Sequence, residues 1–155
     1  NPAVSFVFAC RREIAWPLAA AYAVVQVAGA VAGVWLAHAM FALPLLQIST
    51  KLRDGPAQAL SELVATFGLV ATILGCLRFR PQFTPVAVGL YITAAYWFTA
   101  STSFANPAVT LARSLSDTFA GIAPASAPAF IAAQFSGALL ALGVFGWLLK
   151  ERPAA

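Results

Sequence analysis

Apolar positions in this chain neither alternate nor keep to one helix face; they fall into long runs separated by short charged clusters. Residues 4–10 form an apolar stub of about two helical turns, ended by Arg11-Arg12-Glu13. Residues 17–41 contain no Asp, Glu, Lys or Arg, and about 25 helical residues cross a bilayer with some tilt. That run carries Gln26, His38 and a small-xxx-small pair, Gly29 and Gly33, which predicts close approach of another helix. Residues 44–60 read as a loop, with Lys51, Arg53, Asp54 and the turn pair Gly55-Pro56. Further spans are predicted over 61–77, with Glu62 near its start, over 85–98, and over 128–149. Between the last two lie an uncharged polar run, 99–105, and a helical stretch, 107–119, broken by Gly121 and Pro124. The pattern is four full spans and two short helices.

The two short helices open on the same words, Asn1-Pro2-Ala3-Val4-Ser5 and Asn106-Pro107-Ala108-Val109-Thr110. Asn is a favoured N-cap and Pro is favoured at the first helical position, where its missing N–H costs nothing. A helix started twice in this way points to duplication. About 20 residues beyond each copy, an aromatic, a Gln and a Gly recur at i, i+4 and i+7: Tyr22, Gln26, Gly29 and Phe130, Gln134, Gly137. That spacing puts them on one helix face. The repeat unit is therefore half-helix, loop, then a span with a Gln-x-x-Gly face. Residues 1–60 read as the remainder of repeat 1 and 61–155 as repeat 2, within a single transmembrane domain. The second copy is preceded by two spans and the first by none, so repeat symmetry predicts two spans upstream of Asn1 and a chain that is a fragment. Half-helices that begin inside a bilayer are tolerated only where they are buried in protein or line a cavity.

Composition fixes the class. Hydrophobic residues are 61% and charged residues 9% of the chain, against about 25% charged in soluble domains. The chain predicts an all-α integral membrane protein in contact with the lipid bilayer. The formal charge of +4 would suggest nucleic acid in a soluble protein; here it marks loops on the cytoplasmic side, and no nucleic-acid partner is expected. With Arg11 and Arg12 inside and sides alternating after each span, Arg78, Arg80, Lys150 and Arg152 also fall inside. Lys51 and Arg53 fall outside, and Arg113 lies on the second half-helix. The positive-inside rule is satisfied, and the two half-helices enter from opposite faces. Their N-termini then meet near the midplane, each with unsatisfied N–H groups and a partial positive charge. Such an arrangement repels cations and protons. Asn1 and Asn106 would offer side-chain amides to a passing solute, and the backbone carbonyls of Ser103, Phe104 and Ala105 would accept from it. No step needs a metal, nucleophile or cofactor. Cys10 and Cys76 have no metal or redox spacing and read as packed thiols.

These features resemble the aquaporin family of water and small-solute channels: two Asn-Pro-Ala copies in inverted setting, Gln-x-x-Gly spans, and Glu62 at a span start. The resemblance implies six spans and two re-entrant half-helices, of which four spans occur here. It also implies a pore within each subunit, a homotetramer, a bacterial inner-membrane location, and water or a small neutral solute as cargo. The family's Asn residues match Asn1 and Asn106, with Ala3 and Ala108 beside them at the pore, and its loop-holding buried acid matches Glu62. The family usually places Arg directly after the second motif, where it narrows the outer filter; this chain has Val109 there. That predicts a wider, less polar filter that passes glycerol-like polyols or neutral metalloid hydroxides. A second filter position falls on Ala94 when counted back from Asn106 and on Tyr96 when counted forward from Gly89; Tyr96 is preferred because spans tolerate gaps worse than loops.

Several side chains keep two readings. Arg113, one helical turn beyond Val109, lines the outer vestibule or pairs with Asp117 at i+4. Tyr96 belongs to the filter or packs as an interface aromatic. His38 is a packed imidazole or a pH gate. Glu62 anchors a loop or relays protons, while Gln26 and Gln134 brace the half-helices. Trp16, Trp35, Trp97 and Trp147 fit an interfacial belt. A secondary transporter with broken helices is the alternative to a passive channel. An intramembrane enzyme is disfavoured, because the spans hold no Ser/His, paired-Asp or metal-ligand set.

Overall fold

The computed structural model describes residues 1–150; Arg152, placed inside by the charge pattern, lies outside the described residues. The described residues form six α-helices and no strand: α1 (Pro2–Cys10), α2 (Trp16–Met40), α3 (Pro56–Phe79), α4 (Thr84–Phe98), α5 (Pro107–Arg113) and α6 (Ala127–Leu148). All six have proline in the first turn, where it presets φ without forfeiting a bond. Helices α2, α3 and α6, at 25, 24 and 22 residues, are long and apolar enough to cross a bilayer. Helix α4 has 15 residues and falls short of the roughly 20 needed. Its start is set by a 3-10 turn over Pro81–Phe83, and its end by Thr99, whose hydroxyl bonds the Ala95 carbonyl at 2.7 Å. The expected four full spans are thus three of full length and one shorter.

Helix α6 lies along α3, which also packs on α4; α1 contacts α2 and α6, and α5 contacts α2 and α6. The main core joins Ala3 and Val7 of α1, Val70 and Leu74 of α3, and Ala138 and Ala141 of α6. Small residues let these helices approach closely. At Gly137 an added Cβ would stand 2.2 Å from the Leu63 carbonyl oxygen, so α6 touches the α3 backbone there. The pair Gly29 and Gly33 does not do this: nothing in the described residues lies within 4 Å of a Cβ at either. Much of α2 faces outward, as Val24, Val25 and Leu36, each more than 60% exposed, show.

The second half-helix ends at Arg113, six residues before the expected Phe119. Ser and Asp compete for backbone partners outside helices. Ser114 Oγ bonds the Leu111 carbonyl at 2.6 Å, and Asp117 Oδ1 accepts from the backbone and hydroxyl of Thr50 at 2.8 and 3.0 Å. Residues 114–126 are tied in this way to the connection between α2 and α3, with Ser49 N–H donating to the Ser114 carbonyl and Ala123 N–H to that of Lys51. Gly137→Val should force α6 off α3 and cost about 1–3 kcal/mol. Thermal unfolding of the full-length protein in detergent measures this; an unchanged midpoint contradicts the backbone contact.

Candidate functional site

Each half-helix is capped by its own asparagine. Asn1 Oδ1 accepts from Ala3 N–H at 3.1 Å, and Asn106 Oδ1 from Ala108 and Val109 N–H at 3.0 and 3.3 Å. The two caps meet: Asn1 Nδ2 donates to the Ala105 carbonyl at 2.7 Å, directly before Asn106. One amide proton expected to face a solute is therefore spent joining the half-helices. Asn106 Nδ2 has no hydrogen bond among the described residues, and both asparagines line a cavity of about 460 Å³.

The bracing is the same in both repeats. Gln26 Nε2 of α2 donates to Ser5 Oγ at 3.1 Å, and Gln134 Nε2 of α6 donates to Thr110 Oγ1 at 2.8 Å. Ser5 and Thr110 each stand four residues after their Asn, so the repeated hydroxyl and the repeated glutamine are two ends of one hydrogen bond. Gln134 Nε2 also reaches Glu62 Oε2 at 2.6 Å. Glu62, fully buried, takes the N–H groups of Phe104 and Ala105 at 2.8 Å each. Thr102, Ser103 and Ala105 have φ of 61°, 47° and 46°, the left-handed region that side chains with a Cβ disfavour. The carboxylate bonds hold the loop in that shape. The carbonyls of Ser103 and Phe104 accept no hydrogen bond from the described residues, and both residues line the cavity.

Around the asparagines the cavity wall is Val4, Leu69, Ile73, Val88, Ile92 and Val109. Ala3 and Ala108, expected at the pore, are not in this wall. Both are buried behind it, Ala3 against α3 and α6, because consecutive helical positions diverge by about 100° and Val4 takes the open side. Tyr96 lines the cavity, whereas Ala94 does not. Val88, Ile92 and Tyr96 follow at i, i+4 and i+8 along α4, which puts the tyrosine on the cavity stripe.

Arg113 lies on the same wall. It donates to Tyr96 Oη at 3.3 Å and sits over the Phe104 ring, 4.4 Å from its centroid. The alternative pairing with Asp117 does not form: the helix stops at Arg113, so Asp117 is no longer on the same face. Thr50 bonds hold the Asp117 carboxyl below the usual range, and a lowered carboxyl contributes to folding above its ordinary pKa and loses that contribution as acid protonates it. His38 is packed, with Nδ1 at 3.0 Å from the Leu45 carbonyl and Nε2 at 2.9 Å from Ser116 Oγ.

Sequence reasoning missed Arg53. The sequence places it only in the loop 44–60, yet just 7% of it is exposed. It donates to the carbonyls of Gly121, Ser101 and Phe119 at 2.8, 3.1 and 3.0 Å, and lies 4.9 Å from the Phe104 centroid. Asp54 accepts from Ser126 Oγ. Burial pushes the Arg53 pKa down, Arg113 adds to that, and the Glu62 charge opposes both. The available clue was the Gly55-Pro56 turn, which stops the chain just after Arg53 and turns it into α3.

Glu62→Gln keeps the shape but offers one acceptor oxygen where two N–H groups and a Gln134 amide converge. Each hydrogen bond to a charged group contributes about 1.5–3 kcal/mol, so destabilisation of at least that size is expected, with faster amide exchange at Phe104 and Ala105. Exchange rates unchanged from wild type contradict the anchoring role.

The chain matches the family model described as Major intrinsic protein over residues 1–99. It is 60% identical over 150 residues to the Aquaglyceroporin AqpS of Rhizobium meliloti (strain 1021). The alignment covers 97% of this chain and 64% of that relative, so the chain spans less than two thirds of the relative's length. No solved structure matches it. With apolar helices of bilayer length, two capped half-helices meeting at their N-termini, and a family match over most of its length, this integral membrane chain belongs to the major intrinsic protein family.

Proposed function

We propose that the full-length protein is a passive channel of the bacterial plasma membrane for water and small uncharged solutes, widened at its outer filter by Val109. The observation that carries this reading is the meeting of the two half-helix caps, Asn1 to Ala105, on the wall of an apolar cavity. N–H groups and helix dipoles at that depth oppose cations and protons, while a hydroxyl-bearing solute exchanges water for the Asn106 amide and the carbonyls of Ser103 and Phe104. The aliphatic wall binds such a solute weakly and releases it. Ion-coupled transport calls for a paired acid or cation site, and no carboxylate among the described residues lines the cavity. The name of the relative, an aquaglyceroporin, supports a polyol-sized cargo, and neutral metalloid hydroxides share that size and hydrogen-bonding pattern. Assembly as a homotetramer is part of the same proposal, as is the division into repeat 1 (1–60) and repeat 2 (61–155).

Val109 has no donor and leaves the filter without the usual guanidinium. Stopped-flow swelling of proteoliposomes holding the full-length protein should therefore show both water and glycerol permeation. Val109→Arg should cut glycerol flux by about tenfold or more, the equivalent of roughly 1.4 kcal/mol on the barrier, with water flux retained. Equal glycerol flux in the two proteins contradicts the widened filter, and no swelling above empty vesicles with any solute contradicts the channel.

A further inference from the structure

Beyond Val109 the structure gathers positive charge that passage of a neutral solute does not require. A second cavity, of about 510 Å³, is lined by Lys51, Arg53, Arg113, Gln58, Tyr96 and Trp97 among others, and no carboxylate of the described residues is in its lining. The nearby acids are engaged elsewhere: Asp54 with Ser126, Asp117 with Thr50, and Glu62 with the loop behind Phe104. Lys51 Nζ donates to the Phe119 carbonyl at 2.7 Å, the oxygen that also takes Arg53 Nη2. Tyr96 and Arg113 line both this cavity and the first one, so the two spaces adjoin at that pair.

Arg53 is buried with neutral partners only. Three carbonyl oxygens take three of the five N–H groups of a guanidinium, which leaves two uncommitted. Arg113 spends one on Tyr96 Oη, which leaves four. Both guanidinium groups rest on the same Phe104 ring, and the ring's negative face offsets part of their charge. Arg53 is buried and Arg113 partly so; the nearest counter-charge, Glu62, is spent on the loop N–H groups behind Phe104 and bonds neither guanidinium, whereas buried cations are ordinarily paired directly. A planar fork of free N–H groups suits the oxygens of a carboxylate or phosphate.

We propose that Arg53 and Arg113, with Lys51 at the rim, form a binding site for a small soluble oxyanion at the outer mouth, and that its occupancy slows solute passage past Tyr96 and Arg113. The slowing rests on the channel reading above; the binding does not. An anion seated between the two guanidinium groups satisfies their free N–H groups and narrows the way from the second cavity to Val109. The aqueous side supplies it, and higher ionic strength weakens it by screening.

Inorganic phosphate is the probe, used with the full-length protein. Calorimetric titration in detergent should show saturable binding, weakened roughly tenfold or more by Arg53→Met and, independently, by Arg113→Met, as expected for loss of a charge-assisted contact. Arg113→Met leaves the carbonyl bonds of Arg53 in place, so it remains informative if Arg53→Met fails to fold. External phosphate, compared with chloride at equal ionic strength, should slow glycerol-driven swelling of zwitterionic vesicles in wild type and less so in Arg113→Met. Absence of saturable phosphate binding, or binding unchanged in Arg113→Met, overturns the site. Binding without slowed swelling, in a protein that does conduct glycerol, overturns the gating half alone. Swelling absent in every condition while phosphate still binds overturns the channel reading and leaves the site standing. Loss of phosphate binding on adding anionic lipid would assign the site to a headgroup and overturn the soluble anion.

Discussion

The buried Glu62 carboxylate is the constraint on which the half-helix arrangement depends. A charge with no exposure is costly unless hydrogen bonds take up its lone pairs. Two backbone N–H groups and the Gln134 amide do so here. The loop segment that supplies them, Phe104 and Ala105, is thereby pinned beside α3 in a backbone shape that three left-handed residues make unfavourable on its own. That pinning presents the Ala105 carbonyl to Asn1 and sets Asn106 at the start of α5. Without it the two caps have no reason to meet.

The duplication has a physical counterpart in the two Gln–hydroxyl bonds. Each half-helix is short, and short helices are marginal without tertiary support. A glutamine from the following long span holds each one by a hydroxyl one turn below the cap. In the second repeat Gln134 also touches Glu62, and Gly137 lets α6 meet the α3 backbone.

What the sequence made legible is whatever depends on local chemistry or on repetition. The Asn-Pro starts, the apolar spans, the Gln-x-x-Gly faces and the acid at a span start all announce themselves in residue type and spacing, and of the two residues left by counting, Tyr96 lines the cavity and Ala94 does not. Three features were not legible. The end of α5 at Arg113 follows from Ser114 and Asp117 choosing partners, one of them Thr50, 67 residues away. The turning of Ala3 and Ala108 away from the cavity follows from helix phase, which a motif of adjacent letters does not state. The burial of Arg53 depends on carbonyls from Ser101, Phe119 and Gly121, a pocket assembled from two distant loops.

The proposed function is conduction by matching hydrogen bonds rather than by coupling to an ion. The measurement that tests this most directly is solute flux into proteoliposomes of the full-length protein as a function of glycerol concentration, with and without imposed proton and sodium gradients. The account predicts flux that rises linearly with concentration and is unchanged by either gradient or by membrane potential. Flux that saturates and accelerates with a gradient would contradict it and identify a coupled transporter.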